Sequence, residues 1–130
     1  EEKFFIEIEG RRIIGFIDRI DEVDSCVEIL DYKTSGSMEN ENQLQENLQL
    51  YVYSLAAAEL LKKEVRVVGL WYLVFDKIAK VDLKNLKVDM LKEKVISLIE
   101  GIESENFEAK PSFFACKFCD YCKICKDSKL

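Results

Sequence analysis

The sequence of 130 residues contains no histidine, one proline and five glycines. Without histidine, any metal-binding or acid–base site must be built from carboxylates, lysines, tyrosines or thiols. The sequence also lacks a signal-peptide pattern and any apolar run of about 18 or more residues, so it predicts neither secretion nor a membrane span. A cytoplasmic location is therefore expected. It has no internal repeat, and its composition, 48% hydrophobic and 34% charged, is typical of one globular domain.

The net charge of −6 is unevenly distributed along the chain. Residues 1–50 carry 13 acidic and 5 basic side chains, whereas residues 51–130 carry 12 acidic and 14 basic ones. A low overall isoelectric point therefore does not exclude a basic face that binds nucleic acid, although no concentrated basic stripe is present either. The sequence begins with glutamate inside a strand-like pattern, and we expect it to be part of a longer protein.

The hydrophobic pattern predicts the element order β-β-β-α-β-β-α, with the first three strands antiparallel. The predicted ranges are strands at residues 3–9, 12–20 and 26–33, a helix at 42–63, strands at 65–76 and 77–83, and a helix at 86–105. Pro111 then opens a loop that leads into a cysteine-rich tail. This order predicts an α/β fold with a small sheet flanked by helices.

The second and third strands form a hairpin whose apolar face carries unexpected charges. If the chain turns at Asp24-Ser25, a two-residue loop fixes the register so that Asp18 faces Asp31. Side-chain alternation then gathers seven residues on one face: Phe16, Asp18, Ile20, Val27, Ile29, Asp31 and Lys33. Opposed carboxylates destabilise a sheet, and burial raises their pKa unless a cation intervenes. A divalent metal ion would resolve both problems.

An ordinary hairpin with salt-bridged charges is the alternative. The same register places Asp21 opposite Glu28 on the other face, so this strand pair tolerates like charges. The apolar setting of Asp18 and Asp31, and the Asp-x-Lys spacing that puts Lys33 beside Asp31, favour a metal site.

The segments "GFIDRID" and "EILDYKTSG" resemble motifs II and III of the PD-(D/E)XK nuclease superfamily, in its RecB-like branch. The resemblance implies a restriction-endonuclease-like core in which Asp18 and Asp31 bind Mg²⁺ or Mn²⁺, with the backbone carbonyl of Tyr32 as a further ligand. It also implies that Lys33 orients or activates the attacking water. Hard oxygen ligands and a nearby ammonium group suit metal-assisted hydrolysis of a phosphodiester.

Gln49 and Tyr53 follow in the predicted helix at positions i and i+4, hence on one face. Taken alone, this pair is typical of side chains that border a core. RecB-like nucleases have a similar Gln-x-x-x-Tyr motif beside the metal site. The resemblance therefore implies that Gln49 and Tyr53 help to position the lysine, the water or the DNA strand.

Four of the five cysteines lie within the tail segment "CKFCDYCKIC". Thiolates at Cys-x-x-Cys spacing suit tetrahedral zinc or an iron-sulfur cluster, and the spacing alone does not separate the two. Cys116, Cys119 and Cys125 resemble the Cys-x2-Cys-x5-Cys ending of iron-sulfur nucleases of the AddB type. Those proteins take a fourth thiolate from upstream of the first nuclease strand, and the sequence has no upstream counterpart. Cys122 is an additional thiol that would complete a local set of four.

Together these features predict a nuclease core at residues 1–110 that lacks its first helix, followed by a cysteine-rich tail of the same domain at 111–130. The expected function is Mg²⁺- or Mn²⁺-dependent DNA hydrolysis within a longer helicase-nuclease or a DNA repair or recombination protein, with a [4Fe-4S] cluster, or Zn²⁺ as the alternative. The competing hypothesis is an inactive nuclease-like fold that binds DNA or docks a protein and is stabilised by a metal ion in the cysteine tail.

Overall fold

The computed structural model describes residues 1–130, which divide into two compact units, residues 1–99 and 100–130. The six strands are β1 (Glu2–Ile8), β2 (Arg11–Ile17), β3 (Arg19–Val23), β4 (Cys26–Lys33), β5 (Val65–Tyr72) and β6 (Lys77–Asp82). The four helices are α1 (Glu41–Gln45), α2 (Leu48–Leu61), α3 (Val88–Glu103) and α4 (Phe113–Lys117). A short 3-10 turn at Leu83–Asn85 connects β6 to α3.

The strands form two sheets. β1 and β2 make an antiparallel hairpin, and the other four strands form a sheet in the order β3-β4-β5-β6. β4 and β5 are parallel, whereas the other neighbouring pairs are antiparallel. A parallel pair needs a long crossover connection, and the segment that contains α1 and α2 supplies it. The predicted α/β class, a small mixed sheet with helices, is confirmed.

The hairpin of β3 and β4 has the predicted register. Arg19 pairs with Leu30 and Val23 with Cys26, and the two turn residues have left-handed backbone angles, with φ of 48° at Asp24 and 68° at Ser25. Positive φ at both central residues is the requirement of a type I′ turn, the tight turn that matches the twist of a hairpin. The turn residues therefore fix which residues of β3 lie opposite which residues of β4.

The predicted continuous strand over residues 12–20 is wrong, because the chain bends at Asp18 between β2 and β3. The bend shifts the alternation of side chains: Ile17 is fully buried, whereas Phe16 is 48% exposed. Phe16 therefore does not share the face of Asp31. The Asp18 carboxylate accepts a hydrogen bond from the Tyr32 N–H at 2.9 Å. At this point a side chain, rather than the backbone of β3, is the acceptor for β4.

The predicted helix at 42–63 is also interrupted, and two helices replace it. Asn40 caps α1 and Asn47 caps α2, each side chain accepting a hydrogen bond from the backbone N–H three residues on. Asparagine at an N-cap stabilises a helix start by about 1 kcal/mol, so two caps seven positions apart favour two short helices over one long one. β5 also ends at Tyr72, before the predicted residue 76.

The core of the first unit lies between α2 and the strands. Side chains buried in it include Phe4, Ile6, Ile17, Ile29, Leu50, Val68, Leu70, Tyr72, Leu91 and Val95. α2 packs against β1, β4 and β5, so one helix touches both sheets. This position brings the start of α2 near the end of β4.

In the unit at residues 100–130, Cys116 is the one buried hydrophobic side chain, and α4 is a short helix that the sequence pattern did not predict. No helix of the protein has the length and apolar character that crossing a bilayer demands. The expected cytoplasmic location, the domain division at residue 110 and the lack of a first helix stay predictions.

Candidate active site

Asp31 and Lys33 lie at the carboxyl end of β4 and on the same face of the strand, because their positions differ by two. Asp31 is only 4% exposed, and Lys33 Nζ lies 2.7 Å from its Oδ2 atom. This contact has the distance of an ion pair but not the angles of a hydrogen bond, so Asp31 Oδ2 is a buried polar atom without a hydrogen bond. Its partner is the charge of the Lys33 ammonium, in an ion pair rather than a regular hydrogen bond.

Gln49 joins the acid and the base through both ends of its amide. Its Oε1 accepts a hydrogen bond from Lys33 Nζ at 2.7 Å, and its Nε2 donates to Asp31 Oδ1 at 2.9 Å. The same Nε2 donates to the hydroxyl of Tyr53 at 2.8 Å. The Asn47 cap places Gln49 in the first turn of α2, with Tyr53 one turn later. The structure thus brings together four of the residues that the sequence singled out.

Asp18 approaches the same strand end from the bend between the two sheets. Its Oδ2 accepts from the Tyr32 N–H, so the carboxylate is held beside the backbone of the residue between Asp31 and Lys33. The Tyr32 side chain points to the other face, where its ring lies 5.7 Å from that of Trp71. Only the backbone of Tyr32 is therefore available to the site.

Burial raises the pKa of Asp31 above its ordinary value, and the nearby Asp18 carboxylate raises it further, while Lys33 acts in the opposite direction. Burial is also the main cause that raises the pKa of the Tyr53 hydroxyl, which keeps it protonated at neutral pH. The site thus holds one carboxylate whose ionised form is disfavoured and one neutral phenol.

We expect Asp31→Asn to stabilise the metal-free protein at neutral pH. The folded state holds the Asp31 proton more tightly than the unfolded state does, so the wild type loses stability as the pH rises through the raised pKa of this carboxyl group. Asparagine cannot ionise and is spared that loss. Thermal unfolding of both proteins in EDTA between pH 4.5 and 7.5 measures the effect. The advantage of the variant should grow with pH, and a constant difference would contradict the raised pKa.

The residues present fit a small, hard divalent cation at this place. Mg²⁺ is commonly held by one or two carboxylates, with water and substrate oxygens completing its shell. Asp18 and Asp31 supply two carboxylates, and the unbonded Asp31 Oδ2 supplies a buried acceptor. No group of three or more His, Cys, Asp or Glu side chains that could hold a metal is present anywhere in the chain. Any ion here would therefore depend on few protein ligands.

The like charges on the outer face of the hairpin have an ordinary explanation. Asp21 and Glu28 pair across the strands as predicted, but each has its own cation. Arg19 forms an ion pair with Asp21 at 2.8 Å, and Lys80 forms one with Glu28 at 2.5 Å. These two carboxylates are partly exposed to solvent, whereas Asp31 is buried together with its ion-pair contact.

The sequence pattern did not single out two aromatic side chains that support the site, Tyr72 and Phe4. The Tyr72 hydroxyl accepts a hydrogen bond from the Glu39 N–H at 2.8 Å, which anchors the loop between β4 and α1. The Phe4 ring packs edge-on against Tyr53. Phe4 and Tyr72 are buried aromatic residues of strands, and their sequence pattern is that of any core residue.

Open clefts lie beside Lys33 and beside Asp18. One, of about 460 Å³, is lined by Lys33, Gln49 and Lys94 among others. A second, of about 350 Å³, is lined by Asp18 together with Glu1, Glu2 and Glu22. A long ligand therefore has open space beside both Lys33 and Asp18.

The four tail cysteines do not form a metal-binding group. All are free thiols, and they differ in environment: Cys116 is buried, Cys122 is half-buried, and Cys119 and Cys125 are exposed. Cys116 Sγ instead accepts a hydrogen bond from the Lys129 N–H. In this structure the four thiols do not converge on one point.

Two phage proteins are similar to the chain in sequence. The chain is 31% identical over 128 residues to the Gene 69 protein of Mycobacterium phage D29, covering 94% of this chain and 45% of the relative. It is 30% identical to the Gene 69 protein of Mycobacterium phage L5, covering 90% of this chain and 40% of that protein. The chain thus spans less than half the length of these relatives.

Among solved structures, the crystal structure of SSO0001 resembles the fold with a TM-score of 0.51 and 22% identity, covering 99% of this chain and 58% of the other. The family model of the PD-(D/E)XK nuclease superfamily matches residues 1–126, nearly the whole chain. The match includes every residue of the network at the end of β4. The chain therefore belongs to the PD-(D/E)XK nuclease superfamily.

Proposed function

We propose that this chain is the nuclease part of a longer protein and hydrolyses DNA phosphodiester bonds with Mg²⁺ or Mn²⁺, as a member of the RecB-like branch. The observation that carries the proposal is the buried Asp31 carboxylate, whose Oδ2 atom forms an ion pair with the Lys33 ammonium at 2.7 Å but no hydrogen bond of regular geometry. A buried carboxylate without a full set of partners weakens a fold, so its presence is better explained by a ligand than by stability. Family membership supports the nuclease reaction.

Asp18, Asp31 and the backbone carbonyl of Tyr32 are the groups that would hold the metal ion. When bound, a divalent ion lowers the pKa of water and polarises a phosphoryl oxygen. The Asp31 carboxylate is held in place at both oxygens, since Gln49 donates to Oδ1 and the Lys33 ammonium lies 2.7 Å from Oδ2. The hydrogen bond from the Tyr32 N–H fixes the direction of the Asp18 carboxylate.

Lys33 provides the positive charge of the site. The hydrogen bond to Gln49 Oε1 keeps its ammonium group beside Asp31. From this place Lys33 orients the attacking water and stabilises negative charge that develops on the phosphate. Tyr53 receives a hydrogen bond from Gln49 and keeps its own proton, so its hydroxyl is a donor for a phosphate oxygen or for water.

The direct test is cleavage of labelled single-stranded and double-stranded DNA by the full-length protein with Mg²⁺, with Mn²⁺ and with EDTA. We expect cleavage with either ion and none with EDTA. Binding of DNA without cleavage under all metal conditions would instead support the second candidate, an inactive nuclease-like module that binds DNA or docks a protein. The exposed aromatic residues of the tail, such as Phe114 and Phe118, favour a docking role for that part of the chain.

The coverage of the phage relatives supports a longer parent protein. By resemblance to RecB-like nucleases, we propose a helicase or another DNA-processing domain as its partner and DNA repair or recombination as its setting. Copurification of the full-length protein with its natural partners, before and after nuclease digestion of DNA, tests the assignment.

For the tail, we propose that Cys116, Cys119 and Cys125, with Cys122 or a thiolate from outside residues 1–130, bind a [4Fe-4S] cluster in the full-length protein. Thiols at this spacing support the proposal, and the separate positions of the four side chains require the tail to rearrange on binding.

Anaerobically purified full-length protein should be brown, with broad visible absorbance that is lost in Cys119→Ser. The reason is that a cluster absorbs visible light, whereas thiolate-bound zinc does not. A colourless protein that releases stoichiometric zinc would rule out the cluster. Lys117→Ala, a change in the same turn that removes no thiol, is the control and should keep the colour.

A further inference from the structure

Gly15 lies in the middle of β2, directly opposite Phe4 of β1. A β-carbon added at Gly15 would lie 2.6 Å from Phe4 Cζ and 2.7 Å from Phe4 Cε1. The Phe4 ring therefore occupies the space that any other side chain at position 15 would fill. Glycine is disfavoured inside a strand, and it often marks a site where another group approaches closely. The close approach here is that of an aromatic ring.

The Phe4 ring is only 3% exposed and continues into the candidate active site. Its centroid lies 5.8 Å from that of Tyr53, with the two ring planes at 78°. This edge-to-face arrangement is a favoured aromatic geometry and restrains both rings. The Tyr53 hydroxyl accepts from Gln49, whose amide holds Lys33 and Asp31. An unbroken series of contacts thus runs from Gly15 to the acid and the base.

We propose that Gly15 and Phe4 are positioning residues that fix the Tyr53 ring and, through Gln49, the geometry of Lys33 and Asp31. The catalytic part of this inference rests on the proposed nuclease function. Tyr53 and Gln49 belong to α2, and Lys33 and Asp31 belong to β4, whereas Phe4 and Gly15 belong to the separate hairpin of β1 and β2. The β1-β2 hairpin thereby helps to orient the hydrogen-bonded network at the end of β4, although it contributes no polar side chain to that network.

The decisive experiment is a set of mutant cycles on the full-length protein. Gly15→Ala should lower kcat about 10- to 100-fold, because displacement of about 1 Å in a catalytic group has effects of this size. Phe4→Leu removes the outer ring atoms that meet the new β-carbon. In the Phe4→Leu background, Gly15→Ala should therefore lower kcat no further. In the Tyr53→Phe background, which lacks the hydroxyl bonded to Gln49, Gly15→Ala should again add nothing to the loss of kcat.

Two controls separate this role from ordinary packing. Ile6 is buried on the same face of β1 at 4% exposure, and Ile6→Ala should lower the melting temperature while kcat stays near that of the wild type. Gly101→Ala places a β-carbon where nothing lies within 4 Å, and it should lower neither kcat nor the melting temperature. Losses in kcat that simply add in the double variants would overturn the proposal, since independent sites are additive.

A second readout does not depend on cleavage. Fluorotyrosine labelling gives one ¹⁹F signal for each tyrosine, including the five in residues 1–130, and Tyr53→Phe assigns the signal of Tyr53. Gly15→Ala and Phe4→Leu should each move this signal, and Gly101→Ala should leave it in place. An unmoved Tyr53 signal in Gly15→Ala refutes the positioning role. If the wild type cleaves no DNA but the signal moves as expected, the proposed function fails and the contact from Gly15 to Tyr53 stands.

Discussion

Lys33→Ala is expected to lower the kcat for DNA cleavage by about 100- to 1,000-fold, the usual effect of removing one group that stabilises charge in a transition state. Lys33 has one ion-pair partner, Asp31, and one hydrogen-bond acceptor, Gln49. Alanine removes the ammonium group that both of them hold. No other lysine or arginine interacts with Asp31, so the protein has no substitute at this place.

The measurement is single-turnover cleavage of labelled DNA with saturating Mn²⁺, together with DNA affinity and the melting temperature. A matched control is Lys80→Ala, which removes a lysine that pairs with a carboxylate, Glu28, on the other face of the same sheet. Exposed ion pairs of this kind contribute about 1 kcal/mol or less, and Lys80→Ala should cleave at nearly the wild-type rate. Equal cleavage by wild type and Lys33→Ala would remove Lys33 from the mechanism and support the docking alternative.

Asp31→Ala is expected to abolish both cleavage and tight Mn²⁺ binding, with a loss in rate of about 1,000-fold or more, because it removes one of the proposed ligands of the metal ion. Two carboxylates are the only charged oxygen ligands at this place, and Asp31 is the buried one. The remaining Asp18 would hold the ion weakly. Isothermal titration with Mn²⁺ and cleavage with the same ion measure the two effects.

Asp21→Ala is the matched control for this change. Asp21 is also an aspartate of the β3-β4 hairpin, but its carboxylate forms an ion pair with Arg19. Loss of Asp21 should leave Mn²⁺ affinity and cleavage nearly unchanged. Crystals soaked in Mn²⁺ give an independent view: anomalous density between Asp18 and Asp31 is expected, and density confined to Asp21 and Glu28 would contradict the assigned site.

The two substitutions of Asp31 are expected to differ in their effects on the metal-free fold and on function. Because the pKa of this carboxyl group is raised, ionisation of Asp31 lowers the stability of the folded protein. Asp31→Asn should therefore gain stability at neutral pH while it loses activity. A residue that weakens the fold and is needed for activity is typical of functional sites.

The local sequence determined the register of the β3-β4 hairpin. A two-residue turn and a period of two were sufficient to derive the pairing of Arg19 with Leu30 and to place Asp31 and Lys33 on one face. Spacing along a helix likewise placed Gln49 beside Tyr53, and the observed hydrogen bond joins them. These relations involve residues that are near in sequence or are constrained by one tight turn, so periodicity alone predicts them.

The bend at Asp18 and the break before Asn47 were not predicted, for two reasons. The bend depends on the hydrogen bond of Asp18 with Tyr32, 14 positions later, which a strand pattern does not contain. The helix break depends on an Asn47 side chain that caps a new helix, although the surrounding residues favour helix. In both cases a side chain competed with the regular backbone pattern.

The tail shows the opposite situation, in which the sequence indicated a ligand set and the structure did not assemble it. The spacing of Cys116, Cys119, Cys122 and Cys125 identifies the ligand chemistry, but four thiols converge only when the backbone turns them toward one point. The cysteine spacing therefore predicts a class of site, and its formation stays a prediction for the full-length protein.

By itself the sequence predicted which groups are candidates for the chemistry, since the motifs around Asp18, Asp31 and Lys33 are local patterns of residue type and spacing. Only the tertiary structure decided how they are held: the crossover from β4 to α2 brings Gln49 to Lys33, and the separate β1-β2 hairpin brings Phe4 to Tyr53. The physical reason is that side-chain periodicity describes neighbours on one element. Contacts between elements depend on the packing of the whole core.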